Sequence, residues 1–220
     1  NYHIPTYNIS MRILYPPRPK HRIVPGKLPK YDADPKWVGQ LKFNGQRNPV
    51  FIPADGEAQV FGRKGAPHGD YVLPAKIAEE FKSLSLANKD YWFDSELLNR
   101  KTKDKNYKHR IILFDVLFIG KHLFHGPTLL QRIEMLADIC NNPTVLEPAH
   151  GIALQVTEHI WMAQTFFTDL VARYNQFLHC DEIEGLVLKR GDSKLDSVGG
   201  REHEVSWQIR CRKPSNNYQF

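Results

Sequence analysis

The apolar residues of this chain come in short runs that switch between two periods without any repeating order. "WVGQLKF" (37–43), "NPVFIPA" (48–54), "AQVFGR" (58–63), "YWFDSELLN" (91–99), "RIILFDVLFI" (110–119), "EIEGLVLKR" (182–190) and "EVSWQIRCR" (204–212) have the length and β-branched or aromatic content of strands. "PAKIAEEFKSL" (74–84) and "TLLQRIEMLADIC" (128–140) keep the helical period instead, the second with apolar residues at 129, 130, 133, 136, 137 and 140, Thr128 as N-cap and Pro127 before it. "HIWMAQTFFTDLVARYNQFL" (159–178) is expected to be one further helix with an aromatic face. Because strands and helices do not alternate regularly, the expected class is α+β and not a doubly wound parallel sheet.

At 220 residues the chain can bury one substantial core. Proline punctuation concentrates in the first 35 residues, so residues 1–35 are expected to be a basic, Pro-rich extension packed on or flanking a domain formed by residues 36–220. Arg18, Lys20, His21, Arg22, Lys27 and Lys30 would let that extension clamp an anionic substrate. The longest apolar runs are far shorter than the roughly 20 residues that cross a bilayer, and the start of the chain lacks a signal peptide's apolar centre. A cytoplasmic monomer without membrane contact is expected, a virus-encoded protein acting inside its host included. Cys140, Cys180 and Cys211 show no Cys-x-x-Cys spacing and read as reduced thiols. The net charge of +6 favours a polyanionic partner.

Within "WVGQLKFNGQR", Lys42 carries an ammonium group into an apolar strand and is followed by a tight Asn44-Gly45 turn. Glycine there would let backbone approach an anionic ligand, and Arg47 adds a fixed cation on the same side. A partly desolvated amine flanked by cations is suited to nucleophilic attack.

This Lys-x-Asn-Gly-x-Arg pattern resembles the nucleophile motif of the covalent nucleotidyltransferases: ATP-dependent DNA ligases, RNA ligases and messenger RNA capping enzymes. Further stretches, in the family's order, extend the resemblance over about residues 36 to 213. "FGRKG" implies that Arg63 contacts the nucleotide or the phosphate at a nick, with Lys64 beside it on nucleic acid. "WFDSELL" implies that Glu96 meets the ribose or a metal, and "LFDVLF" that Phe114 stacks on the purine. "EIEGLVLKR" gives Glu184 to a divalent metal, Lys189 to phosphate and Arg190 to nucleic acid. "WQIRCRK" supplies Arg210 and Arg212 to the leaving phosphates, with Lys213 on the opposite face toward nucleic acid. Gln40, on the face of Lys42, stands where the family reads the adenine amino group.

The fold implied is a nucleotidyltransferase (adenylation) domain: two twisted, mainly antiparallel sheets flanked by helices, with a nucleotide cleft between them and no OB-fold domain evident. The function implied is an ATP-dependent polynucleotide ligase, with DNA favoured, that seals 5′-phosphate/3′-hydroxyl nicks in duplex nucleic acid through lysyl-AMP. ATP and Mg²⁺, with Mn²⁺ able to substitute, are the implied cofactors. RNA or hybrid joining by the same chemistry, capping of RNA by a guanylyltransferase, and a non-enzymatic binding module are the competing readings. Two departures from the family pattern stand out: Asn44 replaces the commoner aspartate, and Arg210 and Arg212 replace lysines. An arginine there stabilises charge but cannot give up a proton.

Overall fold

A computed structural model describes residues 14–69, 71–120, 122–123, 126–143, 151–195 and 202–214. In chain order its elements are β1 (Arg18–Ile23), α1 (Leu28–Asp32), β2 (Trp37–Phe43), β3 (Gln46–Arg47), β4 (Val50–Ile52), β5 (Gln59–Val60), α2 (Ala75–Lys82), β6 (Tyr91–Leu98), β7 (Arg110–Ile119) and β8 (His122–Leu123). There follow α3 (Leu129–Ile139), β9 (Leu154–Gln155), β10 (Ile160–Met162), β11 (Thr165–Phe166), α4 (Leu170–Gln176), β12 (Ile183–Arg190) and β13 (Glu204–Arg212).

The strands form two sheets. One has the order β1-β13-β12-β2-β11; the other runs β5-β4-β6-β7-β10-β9, with β3 added to β6 and β8 to β7. All pairings are antiparallel except β1 with β13 and β10 with β7. The α+β class and the two mainly antiparallel sheets are therefore as expected from sequence.

Side-chain alternation on β7 shows how the layers are built. Ile111 and Leu113 join the core that Ile77 and Phe81 of α2 and Leu136 and Ile139 of α3 share with Phe93 and Leu97 of β6. Ile112 and Phe114 face the other way, toward a core that includes Leu41, Leu186, Leu188, Leu170 and Tyr174. Each fully buried side chain of this size stabilises the fold by roughly 1.5–3 kcal/mol. Thr128 caps α3 as expected: its hydroxyl accepts from the Gln131 N–H, and the Gln131 side chain accepts from the Thr128 N–H.

One expectation fails. Residues 159–178 are not a single helix: Ile160–Met162 pair with β7 and β9, Thr165–Phe166 pair with β2, and only Leu170–Gln176 is helical. Asp169 has φ +60°, which no helix continues through, and the first N–H groups of α4, at Leu170 and Val171, donate to the Asp32 carboxylate at 2.9 and 3.3 Å. A cap from a residue so distant in sequence leaves no local signal.

The lead-in contributes an edge strand, because β1 pairs parallel with β13. Pro19 has no N–H to give, and the register shifts just after it. Among the described residues, no helix is long and apolar enough to cross a membrane. Cys140, Cys180 and Cys211 are free thiols.

Candidate active site

Gln40 and Lys42, two apart on β2, point from the first sheet into a cleft of about 490 Å³ whose other bank is β3, β6 and β7. Lys42 Nζ forms a short ion pair with Glu184 of β12. The sequence reading surrounded this amine with cations; its nearest partner is instead a carboxylate, held in turn by Arg212 Nε at 3.4 Å.

Strand alternation alone would not bring Glu184 there. Its alternate neighbours Leu186 and Leu188 lie in the core, but the register of β12 on β2 shifts between Ile183 and Gly185, and Gly185 has φ +134°. This bulge turns Glu184 into the cleft. Glycine is required: a Cβ on Gly185 would lie 2.0 Å from the Cys211 carbonyl oxygen.

Gly45 also differs from the sequence reading. Its missing Cβ makes room for protein, not ligand, since a Cβ would sit 2.5 Å from the Leu97 carbonyl oxygen. This close approach lets Gly45 N–H donate to Glu96 Oε1 at 3.1 Å. Asn44 explains its own departure from aspartate, because Nδ2 donates to the Asp181 carbonyl at 3.1 Å, which a carboxylate cannot do.

Phe114 lies in the cleft with Arg47 Cζ and Lys189 Nζ each 5.1 Å from its ring centroid. Arg47 clamps the buried Asp94 through two guanidinium nitrogens, and Lys189 Nζ donates to Gln40 Oε1 at 2.7 Å. Gln40 Nε2 in turn donates to Thr165 Oγ1 at 3.1 Å, so both ends of this amide are engaged. Burial pushes the Glu96 carboxyl up to about 7, against the pull of Lys42 and Arg47. Burial also draws the Lys189 ammonium down to about 8, with Asp115 and Asp94 opposing.

Arg18, Arg63, Lys101, Arg210 and Arg212 complete the cationic lining, and Glu96 and Glu184 are its two carboxylates among the described residues. Such a cleft suits a polyanion. Two hard oxygen donors beside it fit a divalent cation that takes its remaining ligands from phosphate and water. Three expected nucleic-acid contacts lie outside the cleft lining: Arg190 pairs with Asp192, Lys213 Nζ donates to the Cys180 carbonyl at 2.7 Å, and Lys64 is exposed beyond Arg63.

Of the basic lead-in residues expected to clamp an anionic substrate, Arg18 lies on the cleft lining. Other cleft residues have no signal in the sequence, Gln208 among them. Gln46, inside the nucleophile motif, turns a buried Oε1 with no protein partner among the described residues, an acceptor of the kind that water or a ligand N–H satisfies. His68 is anchored through Nε2 to Asn48 Oδ1 at 2.8 Å, and Asn48 Nδ2 reaches Ser95 Oγ at 3.1 Å.

No family model and no curated protein matches the sequence. Solved structures match with high probability. Mycobacterial DNA ligase D complexed with ATP and MES aligns at TM-score 0.60 and 16% identity, covering 93% of this chain and 62% of that one. The ligase domain of M. tuberculosis LigD aligns at TM-score 0.59 and 16% identity, covering 91% of this chain and 60% of that one. The bacteriophage T7 ATP-dependent DNA ligase, complexed with ATP, aligns at 0.50 and 11%, over 94% of this chain and 70% of that one. This chain thus spans about three fifths of the first two. Likeness at such low identity establishes architecture: the chain has the fold of the nucleotidyltransferase domain of ATP-dependent DNA ligases.

Proposed function

We propose that this chain is an ATP-dependent polynucleotide ligase acting on nicked DNA, with Lys42 as the residue that carries AMP. The observation that carries this reading is the Lys42–Glu184–Arg212 contact on the wall of a cationic cleft that also holds an aromatic ring, Phe114. That arrangement supports a reaction in three steps.

The Lys42 ammonium first gives a proton to Glu184, its contact, which passes it to solvent; the freed Nζ lone pair attacks the α-phosphorus of ATP, the N–P bond forms, the bond to pyrophosphate breaks, and the second proton leaves to solvent. Arg210 and Arg212 neutralise the departing phosphates. A 5′-phosphate oxygen then displaces Lys42 from the adenylate phosphorus, Nζ leaving with a proton taken up from solvent, and a 3′-hydroxyl, giving its proton to solvent, finally displaces AMP to make the phosphodiester. Phe114 stacks the purine and Gln46 offers its unpartnered Oε1 to the purine edge; Gln40 has one N–H and one lone pair left beyond Thr165 and Lys189 with which to meet it. Glu96 and Glu184 would hold Mg²⁺, which would supply charge neutralisation at the phosphates. Most of the rate enhancement comes from alignment.

The test is to incubate the protein with ATP and magnesium and weigh it. An AMP-sized mass gain that disappears in Lys42→Ala is expected; no gain, or a gain that survives the substitution, defeats the reading. GTP in place of ATP distinguishes a capping activity. Sealing assays on nicked all-DNA, all-RNA and mixed duplexes then assign the strand chemistry.

A further inference from the structure

At the outer lip of the cleft, one carboxylate bridges two guanidinium groups from opposite banks. Glu202 Oε1 accepts from Arg63 Nε at 2.8 Å, and Oε2 accepts from Arg18 Nη1 at 3.1 Å and Arg63 Nη2 at 3.4 Å. Arg18 belongs to β1 of the first sheet, whereas Arg63 follows β5 of the second. We propose that Arg18 and Arg63 together form a seat for a backbone phosphate of the nucleic-acid substrate, and that Glu202 fills this seat in the free protein. The inference rests on the ligase reading; a phosphate contact by Arg63 is what the family resemblance already implies, and what is added is Arg18 as its partner across the cleft and Glu202 as an internal competitor.

Both arginines are placed by backbone contacts that owe nothing to Glu202. Arg18 N–H donates to the His203 carbonyl at 3.1 Å, and the preceding Pro17 carbonyl accepts from Arg47 at 3.3 Å. The Arg63 turn is closed by Gly62 N–H on the Ala66 carbonyl at 2.7 Å and is tied to the N-terminal segment by Tyr15 Oη donating to the Lys64 carbonyl at 3.0 Å. The two backbones are therefore fixed on facing banks, and their guanidinium groups meet at one point, the Glu202 carboxylate. A carboxylate offers them the same pair of oxygens that a phosphodiester would.

Exposure assigns the seat to the macromolecular substrate. The Arg63 side chain is 54% exposed, against 20% for Lys42 deeper in the cleft. A strand lying over the mouth reaches the outer position first. The same chemistry could in principle serve the terminal phosphates of ATP, so the two sources are separated by measuring them apart.

The experiment uses the full chain carrying Glu202→Gln, which keeps size and removes charge, with nicked DNA duplex as the probe. Dissociation constants measured by fluorescence anisotropy over a salt series are expected to fall about tenfold at low salt, with a steeper salt slope, because more cations are left for phosphate. Arg18→Ala should weaken binding, and adding Glu202→Gln to it should restore little. Arg18→Lys, which keeps charge but loses the fork, should fall between. Unchanged or weaker duplex binding by Glu202→Gln overturns the inference. So does a lowered KM for ATP in lysyl-AMP formation with duplex affinity unmoved, which would give the seat to the triphosphate. Absence of lysyl-AMP in the unsubstituted protein defeats the ligase reading itself and leaves the binding measurements to stand separately.

Discussion

Asp94 of β6 and Asp115 of β7 stand opposite each other in the strand register, and each buried carboxylate is clamped by its own arginine. Arg47 holds Asp94 from the cleft side; Arg132 of α3 holds Asp115 with Nε at 2.8 Å and Nη2 at 3.0 Å. Two facing carboxylates in a β-ladder would repel each other if either clamp were lost.

Arg132→Leu should therefore destabilise the fold by about 3–5 kcal/mol, because it leaves Asp115 buried without its hydrogen-bonded counter-charge. Asp115→Leu combined with Arg132→Leu should recover much of that loss. Urea unfolding midpoints at unchanged slope check both. A single substitution as mild as the double one would show that the pair does not act as a unit.

Lysyl-AMP formation should have a bell-shaped pH dependence. Glu96, pushed up to about 7, is charged only above that value, whereas Lys189, drawn down to about 8, keeps its charge only below it. Activity should rise as pH climbs through 7 and fall as it passes 8. In Glu96→Gln the acid limb should flatten, and in Lys189→Arg the alkaline limb should move to higher pH, since arginine stays protonated. Limbs that stay put in both variants would assign the titration elsewhere.

Gly185→Ala should slow catalysis by misplacing a neighbour. The added methyl collides with the Cys211 carbonyl at 2.0 Å, so the bulge that aims Glu184 at Lys42 must flatten. A misplacement of about an ångström is worth on the order of 100-fold in rate. Single-turnover adenylation, with circular dichroism confirming the fold, is the measurement; near-normal turnover would mean that the bulge does not set the geometry.

Asn44→Asp, which restores the commoner family residue, should lower stability by about 1 kcal/mol, since it exchanges a donor on the Asp181 carbonyl for an acceptor facing it. Thermal melting reads this directly. An unchanged or higher midpoint would remove the explanation for asparagine.

How much could be read beforehand follows from where the determining contacts lie. β7, β13 and α3 were legible because period, cap and boundaries are local, and Gln40, Lys42, Glu96, Phe114, Glu184 and Lys189 do converge in one cleft. Residues 159–178 were misread because an aromatic-rich apolar run satisfies either period until β7 and β2 claim its first half as strand. Arg132 was overlooked although a signal existed: it sits between Leu129 and Leu136 on the buried face of α3, and Asp115 interrupts an equally apolar strand. Two charges inside apolar runs are best explained by each other. The turning of Glu184 depends on a bulge and on φ at Gly185, neither of which alternation alone foretells.

The parallel pairing of β1 with β13 has a bearing on how the protein can be handled. β12 occupies one side of β13, so the lead-in strand is what covers the other. Shortening the chain past Ile23 would therefore uncover a run of unpaired amide and carbonyl groups along β13, an invitation to strand-to-strand association between molecules. Truncations meant to trim a decorative tail would yield precipitate instead.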